Sequence, residues 1–379
     1  MSVGVAPASH DRDDDIPFME LAFALGRRGL GRTWPNPSVG AVLVRRDGSG
    51  PVIVGRGWTQ PRGRPHAETQ ALDRAGEAAR GTTLYVTLEP CSHHGSTAPC
   101  ADAVIGAGVK EVVSALEDPN PLVAGEGHRR MAAAGILVRV GPGSDEARRA
   151  HAGHIRRVRD GRPHVILKLA VSADGKAGLA GRRPLAITGE ATRQRVHLMR
   201  ATNDAVLTGI GTILADDPLL TCRLPGMAER SPVRVVLDTD LRLGLDLRVV
   251  ATAHETPLWV ITSAGAAPER ERALQARGVE VFRVPAAGGK LDLMAALNRL
   301  AERGITRVMV ETGPILAAAL LRADLVDEAV LLRSAMTIGP AGIDALEGLR
   351  LEALTRSPRL ELVSTEGIGE DTIEHFARR

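Results

Sequence analysis

Aromatic side chains are almost missing from this chain: three Trp, one Tyr and four Phe among 379 residues, 2% of the total. Proteins that track single-stranded nucleic acid stack bases on such rings, so the composition speaks against a polymeric substrate. Cysteine is equally sparse. Three thiols, Cys91, Cys100 and Cys222, cannot build a disulfide framework and suit the cytoplasm. No apolar run approaches the ~20 residues of a membrane span. The polar start, ending in Asp11-Arg12-Asp13-Asp14-Asp15, has no apolar signal core. There is no internal repeat and no Gly-x-Gly-x-x-Gly fingerprint. Neither charge sign dominates. A net charge of +3 and a pI of 9.0 suit phosphorylated small molecules without demanding nucleic acid. What remains is an ordinary soluble composition, 44% hydrophobic and 25% charged, long enough for two cores.

Against that sparse background, one imidazole, one carboxylate and two thiols stand out. They occur as Pro65-His66-Ala67-Glu68, Leu88-Glu89-Pro90-Cys91 and Pro99-Cys100. His66, Cys91 and Cys100 form a donor set suited to a tetrahedral Zn²⁺ with one position open. Glu68 is not needed as a ligand. A carboxylate beside an open metal position reads as a hydrolytic centre, the metal acidifying water and the carboxylate moving protons. The order resembles the His-x-Glu and Pro-Cys signature of zinc nucleobase deaminases. Pro65 suits a helix first turn, and Ala67, Ala71, Leu72, Ala75 and Ala79 give that helix an apolar stripe. Thr83 to Leu88 reads as a buried strand that delivers Cys91 at its C-terminal end. A second helix is expected to start near Cys100. The eight residues between the cysteines, Ser92 to Pro99, form a polar loop placed to read the substrate, with His93 and His94 assigned to substrate or loop backbone. Cys222 reads as an inert buried thiol.

The first half alternates strand and helix. Val39–Val44 and Val52–Gly57 pair across Asp47-Gly48. Strands follow at Val112–Ala115 and Ile136–Val140, with helices at Gly125–Ala134 and, basic in character, Asp145–Arg159. Gly161-Arg162-Pro163 punctuates that basic run and marks the boundary. The expected division is a flexible tail 1–16, a zinc-dependent unit 17–162 and a second α/β unit 163–379. The second series has strands at His164–Leu169, Asp204–Thr208, Val233–Leu237, Leu258–Thr262, Val279–Arg283 and Arg307–Val310. Helices intervene at Thr192–Arg200, Glu269–Arg277, Leu291–Arg303 and Pro314–Arg322. The tail segments Glu361-Leu362-Val363 and Thr372-Ile373-Glu374 read as edge strands. Gly313-Pro314, directly after a strand, places a helix N-terminus where an anion could bind.

From about Pro17 to its end the chain resembles the bifunctional riboflavin-biosynthesis deaminase/reductase family. In the first half the resemblance is carried by Pro35-Asn36-Pro37-Ser38-Val39-Gly40, His66-Ala67-Glu68, the run Tyr85 to Gly95, Pro99-Cys100 and Asp118 to Gly125. In the second it is carried by Ser172-Ala173-Asp174-Gly175-Lys176, the run Gly211 to Arg223 and Val310-Glu311-Thr312-Gly313-Pro314. The resemblance implies an α/β chain with a cytidine-deaminase-like first domain and a dihydrofolate-reductase-like second domain. It implies hydrolytic deamination of 2,5-diamino-6-ribosylamino-4(3H)-pyrimidinone 5′-phosphate with zinc, then reduction of the ribosyl group to ribityl with NADPH. It places the zinc ligands on His66, Cys91 and Cys100, the acid/base on Glu68 and a base contact on Asn36. In the second half it places cofactor contacts on Ala170, Thr212, Asp216, Thr239, Gly313 and Pro314. Substrate contacts fall on Arg200, Leu220, Arg223 and Glu311, the two arginines suiting a ribose phosphate. The implied partner is a phosphorylated pyrimidine, with no nucleic acid and no membrane. A homo-oligomeric state is left open.

Four positions depart from the usual family pattern. Thr59 stands where His is common, and Ser96 where Lys or Arg is common. Gly181-Arg182-Arg183-Pro184-Leu185-Ala186 replaces a loop of the type Ser-Gly-Glu-Ser-x-Trp. Ala335-Met336-Thr337-Ile338-Gly339 replaces Pro-Lys-x-x-Gly. These changes support one alternative, a deaminase whose C-terminal half binds or scaffolds without reducing. A nucleic-acid-editing deaminase conflicts with the scarce aromatics and the long Cys-to-Cys loop. A zinc-stabilised binding protein leaves Glu68 without a purpose.

Overall fold

The computed structural model describes residues 14–48, 50–93, 98–121, 123–182 and 185–379. The expected tail up to Asp13, His94, Ser96 and the Arg183-Pro184 pair lie outside the described residues. The chain divides into two compact units between Gly161 and Arg162.

The first unit is built on strands β1 (Gly40–Asp47), β2 (Gly50–Trp58), β3 (Thr83–Val86), β4 (Glu111–Ser114) and β5 (Leu137–Val140). Their order is β2-β1-β3-β4-β5. β1 runs antiparallel to both neighbours, and β3, β4 and β5 are mutually parallel. Both faces are covered, so β1 reads as an unbroken apolar run, Ala41 to Val44, with every side chain buried. Val42, Val44 and Tyr85 pack with Met19, Ala22 and Phe23 of the helix Ile16–Gly26. Ala41, Leu43, Leu84 and Val86 pack on the other face with Ala67, Ala71, Ala101 and Val104. The helices lie close enough to require glycine: a Cβ on Gly40 would meet the Ala22 carbonyl, and one on Gly57 the Ala67 carbonyl.

The expected tail is too long by two residues. Asp15 is 1% exposed, accepts a hydrogen bond from the Tyr85 hydroxyl at 2.6 Å and pairs with Arg139 at 2.6 Å, and Ile16 opens a helix. The acidic run hid this start, because Asp15 looks like the end of a charged segment when it is the buried partner of a distant arginine. The basic stretch Asp145–Arg159 is two helices, Ser144–Ala150 and Ala152–Asp160.

The second unit contains β6 (His164–Val171), β7 (Lys176–Gly178), β8 (Ala205–Gly209), β9 (Val233–Leu237), β10 (Leu258–Ser263), β11 (Glu280–Val284), β12 (Ala286–Ala287), β13 (Lys290–Leu291), β14 (Arg307–Glu311), β15 (Glu328–Arg333), β16 (Ile343–Asp344), β17 (Leu360–Ile368) and β18 (Asp371–Arg378). Nine of them form one sheet in the order β11-β10-β9-β8-β14-β6-β15-β18-β17. The seven from β11 to β15 are parallel, and β18 and β17 close the sheet as an antiparallel hairpin. Thr372-Ile373-Glu374 is therefore not an edge segment: β18 lies inside, between β15 and β17, with Ile373 and Phe376 buried. The sequence of β8, β14 and β6 crosses from one side of the sheet to the other, which opens a crevice at the strand C-termini.

Candidate functional site

His66 is the N-cap of the helix Ala67–Ala75, with extended backbone (φ −69°, ψ 163°). Pro65, expected in the first turn, precedes the cap, and the Arg64–Pro65 bond is cis. This geometry aims the imidazole off the helix end and brings Glu68 into the first turn. The loop after β3 carries Cys91, and Cys100 opens the helix Cys100–Gly106. The His66 Nδ1 atom lies 3.2 Å from the Cys100 Sγ and 3.6 Å from the Cys91 Sγ. The Cys100 amide donates to the Cys91 Sγ at 3.3 Å. Three elements far apart in sequence thus converge on one triangle of donor atoms within 4.8 Å.

The electrostatics of the triangle show what it fits. The hydrogen bond from the Cys100 thiol, opposed by burial and helped by His66, pulls Cys91 down to about 4. Cys100 is pushed strongly up by its bond to Cys91, by burial and by the Glu68 and Cys91 charges. Protein charges alone therefore support one thiolate, and the second ionises only if a cation sits between them. One imidazole nitrogen and two thiolates are a zinc-type donor set. Glu68 is 3% exposed, and burial pushes its carboxyl up to about 7. That is the range in which one group can both take and give a proton near neutrality.

Glu89 is the functional residue that spacing alone did not single out. It is buried, and its carboxylate accepts the backbone N–H groups of Asp118 (3.0 Å), Gly125 (2.9 Å), Gly127 (2.8 Å) and His128 (3.2 Å). It clamps the Asp118–Gly125 loop and the start of the helix Glu126–Ala133 onto the strand end that carries Cys91. A second acid/imidazole group, Glu89, Glu117 and His128, comes within metal-binding distance, but those four amides already occupy Glu89. Asn36 donates its Nδ2 to the Gly63 carbonyl at 3.0 Å, one residue before Arg64 and the His66 turn. Thr59, where the family often has His, is buried, and its hydroxyl accepts the Val39 amide at 3.0 Å.

In the second unit, a cavity of 590 Å³ runs along the C-terminal ends of β8, β9 and β14. Thr212, Asp216, Thr239, Gly313 and Pro314, to which the resemblance assigns cofactor contacts, all line it. Ala170 is not among its lining residues and packs half-buried against the core. The Gly313 amide donates to the Thr212 hydroxyl at 3.2 Å, tying the two helix starts together. Gly313 caps the helix Pro314–Arg322 directly after β14, so the expected strand-end helix N-terminus is present.

Two of the expected substrate contacts are paired with each other. Arg200 is not a free cation: its guanidinium grips Glu311 through both oxygens, at 2.6 and 2.9 Å, and donates to the Thr221 carbonyl at 3.0 Å. The sequence could not show that these two expected contacts neutralise each other. Arg223 is exposed, and partial burial and the neighbouring Arg200 and Arg248 charges lower its pKa against the pull of Glu311. Leu220 is buried with a left-handed backbone (φ 56°), which a branched side chain adopts only under constraint. Lys168 was missed. Its ammonium lies 3.9 Å from Glu311, and burial lowers its pKa against the pull of that carboxylate. A lysine interrupting the apolar strand His164–Val171 was the available signal. Asp174 of the Ser-Ala-Asp-Gly turn accepts the amides of Ile338 (3.1 Å) and Gly339 (2.7 Å), so the departing segment 335–339 is held to that turn.

With this geometry established, comparison with known proteins is informative. Residues 12–116 match the cytidine and deoxycytidylate deaminase zinc-binding region, and residues 163–373 match the RibD C-terminal domain. The riboflavin biosynthesis protein RibD of Escherichia coli is 40% identical over 375 residues, covering 96% of this chain and 99% of that protein. RibD of Aquifex aeolicus is 38% identical, covering 97% and 99%. Among solved structures, RibD of Acinetobacter baumannii superimposes with a TM-score of 0.86 at 35% identity, covering 97% of this chain and all 100% of that one. The Thermotoga maritima diaminohydroxyphosphoribosylaminopyrimidine deaminase/5-amino-6-(5-phosphoribosylamino)uracil reductase gives a TM-score of 0.81 at 35% identity. Two matched domains in one order, near-complete coverage and a common fold place this chain in the RibD family of bifunctional, zinc-dependent deaminase/reductases of riboflavin biosynthesis.

Proposed function

We propose that the first unit removes an amino group hydrolytically from 2,5-diamino-6-ribosylamino-4(3H)-pyrimidinone 5′-phosphate, and that the second reduces the deaminated ribosyl phosphate to ribityl with NADPH. The observation that carries the first half is the His66, Cys91, Cys100 triangle with buried Glu68 beside it. His66, Cys91 and Cys100 would hold a zinc ion, which would supply an acidified water and an electrophilic centre. Glu68 accepts a proton from the attacking water and returns protons to the ring and leaving nitrogens. Asn36, held by its bond to Gly63, offers its carbonyl oxygen to an amino group of the base. In the second unit the residues lining the cavity would hold the dinucleotide, the Gly313 helix start offering a site suited to an anionic group. Glu311, held by Arg200, contacts the ribose hydroxyls, and Arg223 supplies the cation for the phosphate. Lys168, its ammonium 3.9 Å from Glu311, supplies the proton that completes the reduction.

The substrate is a soluble small molecule in this reading, not nucleic acid, and the setting is cytoplasmic. No helix among the described residues is long and apolar enough to cross a membrane. The test is incubation of purified, zinc-loaded protein with the diaminopyrimidinone phosphate, following ammonia and NADPH separately. Ammonia should appear without NADPH, and NADPH oxidation should follow deamination. Ammonia release with no NADPH oxidation would reduce the second unit to a scaffold.

A further inference from the structure

The last helix of the first unit, Ala152–Asp160, supplies no donor to the zinc triangle, yet two imidazoles at its start reach the ends of two different strands. His151 is the helix N-cap and is 2% exposed. Its Nε2 donates to the Thr87 carbonyl at 3.0 Å, just beyond β3. Three residues on, a spacing that puts helical side chains on one face, the His154 Nε2 donates to the Asp118 Oδ1 at 3.2 Å, beyond β4. The two strand ends are themselves joined. The Ala115 amide donates to the Val86 carbonyl at 2.9 Å, and the Glu89 amide to the Leu116 carbonyl at 2.9 Å. The loop that carries Cys91 starts at this junction.

The turn Asp118-Pro119-Asn120-Pro121 stands beside that loop and has little backbone to tie it down. Its two prolines have no N–H, and its two amides both go to carboxylates. The Asp118 amide donates to the Glu89 Oε2 at 3.0 Å, two residues before Cys91, and the Asn120 amide donates to the Asp118 Oδ1 at 2.9 Å. Asp118 is thus the anchor of the turn, and His154 is what holds Asp118 from outside it. Burial works against the Asp118 charge, but His154 and the Asn120 amide outweigh it and hold the carboxyl below the ordinary range. The Asp118 side chain remains 18% exposed at the end of β4. Open α/β sheets bind their ligands along such strand ends. His154 serves this one contact: its Nδ1 is buried with no hydrogen-bond partner among the described residues.

We infer that His154 is a positioning residue for deamination: by holding Asp118 it keeps the 118–121 turn in place beside the zinc loop, and so sets how tightly the pyrimidine phosphate is held rather than how fast it reacts. The inference rests on the deaminase reading above. No hydrogen bond or ion pair among the described residues joins His154 to His66, Glu68, Cys91 or Cys100. Losing it therefore leaves the metal donors and the acid/base group where they are, while the turn beside them loses its outer tether.

The test uses the full-length, zinc-loaded chain, with ammonia release from the diaminopyrimidinone phosphate measured over a range of substrate concentrations. His154→Leu fills the space without a donor. It should raise KM about 10-fold, as for a lost hydrogen bond to a charged group. Its kcat should stay within about two-fold, the pattern of lost ground-state binding, and its zinc content near one per chain. His154→Gln carries its amide nitrogen as many bonds from Cα as Nε2 and should restore the parental KM. In an Asp118→Ala background His154→Leu should add nothing, because the two side chains act through one contact. If His154→Leu does not fold, His154→Asn, whose amide nitrogen falls short of Asp118, takes its place with the same expected rise in KM. An unchanged KM, an equal loss in the Leu and Gln variants, or additive effects in the Asp118→Ala background would overturn the assignment. So would loss of zinc or a fall in kcat alone, since either would place the role of His154 in the metal site or the chemical step. All these outcomes leave the deaminase reading intact. Absence of ammonia release from the parent chain would overturn that reading and this inference with it.

Discussion

At the level of single residues, the first unit depends on separate jobs for His66, Cys91, Cys100 and Glu68. The two thiols cannot both ionise without a cation, so removing one should release the metal rather than merely weaken it. Cys91→Ser and Cys100→Ser are each expected to lose most of the zinc, read by metal analysis after gel filtration. Stoichiometric zinc in both variants would refute the ligand set. Glu68→Gln should behave differently. It keeps the donors, so zinc content stays near one per chain, while ammonia release falls by about 10² to 10⁴, the usual worth of a general acid/base. These residues were legible because His-x-Glu and Pro-Cys are short local patterns whose donor types suit a metal and little else. Arg200 was legible as important but not in what it does, because its partner Glu311 lies 111 positions away and spacing carries no information about that pairing. Lys168 and Glu89 escaped for a related reason: each reads as an ordinary strand or loop residue until the fold supplies its contacts.

At the level of elements, Glu89 explains how the Cys91 loop is kept in place. A buried carboxylate on four backbone amides substitutes for the capping side chain that the helix Glu126–Ala133 lacks, since its N-cap is Gly125. The negative charge also suits the positive end of that helix. Glu89→Gln keeps the shape but offers one accepting oxygen and two donors to a site made only of donors. Hydrogen bonds to a charged group are worth roughly 1.5–3 kcal/mol each, so the variant should destabilise the first unit by several kcal/mol and loosen zinc. Thermal unfolding with and without excess zinc measures this, and NADPH binding by the second unit should remain as in the parent. A melting point within a degree of the parent would show that the clamp contributes little. Most elements were readable from apolar runs and punctuation: β9 and the helix Pro314–Arg322 match the expected bounds residue for residue. The helix Ile16–Gly26 was lost to the acidic run before it, and the helix pair 144–160 was merged because both pieces are basic. β18 was misplaced because alternation marks a strand but does not say which strands flank it.

At the level of the whole molecule, two units with separate cores should unfold as separate transitions, and acid should reach the second through one ion cluster. At the start of β6, Arg162 grips buried Asp327 through both oxygens at 2.6 and 2.9 Å, and His164 meets Glu328 at 2.8 Å. Burial works against the Glu328 carboxylate, but the His164 hydrogen bond and the Arg307 and His164 charges outweigh it and hold Glu328 at about 2. Asp327 is likewise held below the ordinary range, burial being outweighed by Arg162 and His164. A carboxylate whose folded pKa lies below its unfolded value, near 4.3 for Glu, stabilises the fold fully above that value. The stabilisation is lost as pH falls through the folded pKa, because the unfolded chain takes up the proton first. Urea unfolding of the second unit should therefore have a level midpoint from about pH 7 to 5 and a falling one from about 4.5 toward 2. It can be followed at Trp259 with Trp34 and Trp58 replaced by Phe. Glu328→Gln should lower the midpoint at neutral pH and flatten the acid limb together, because one charge accounts for both. A variant that loses stability at neutral pH while keeping the parental acid slope would show that the cluster acts through packing and hydrogen bonds rather than through its ionisation.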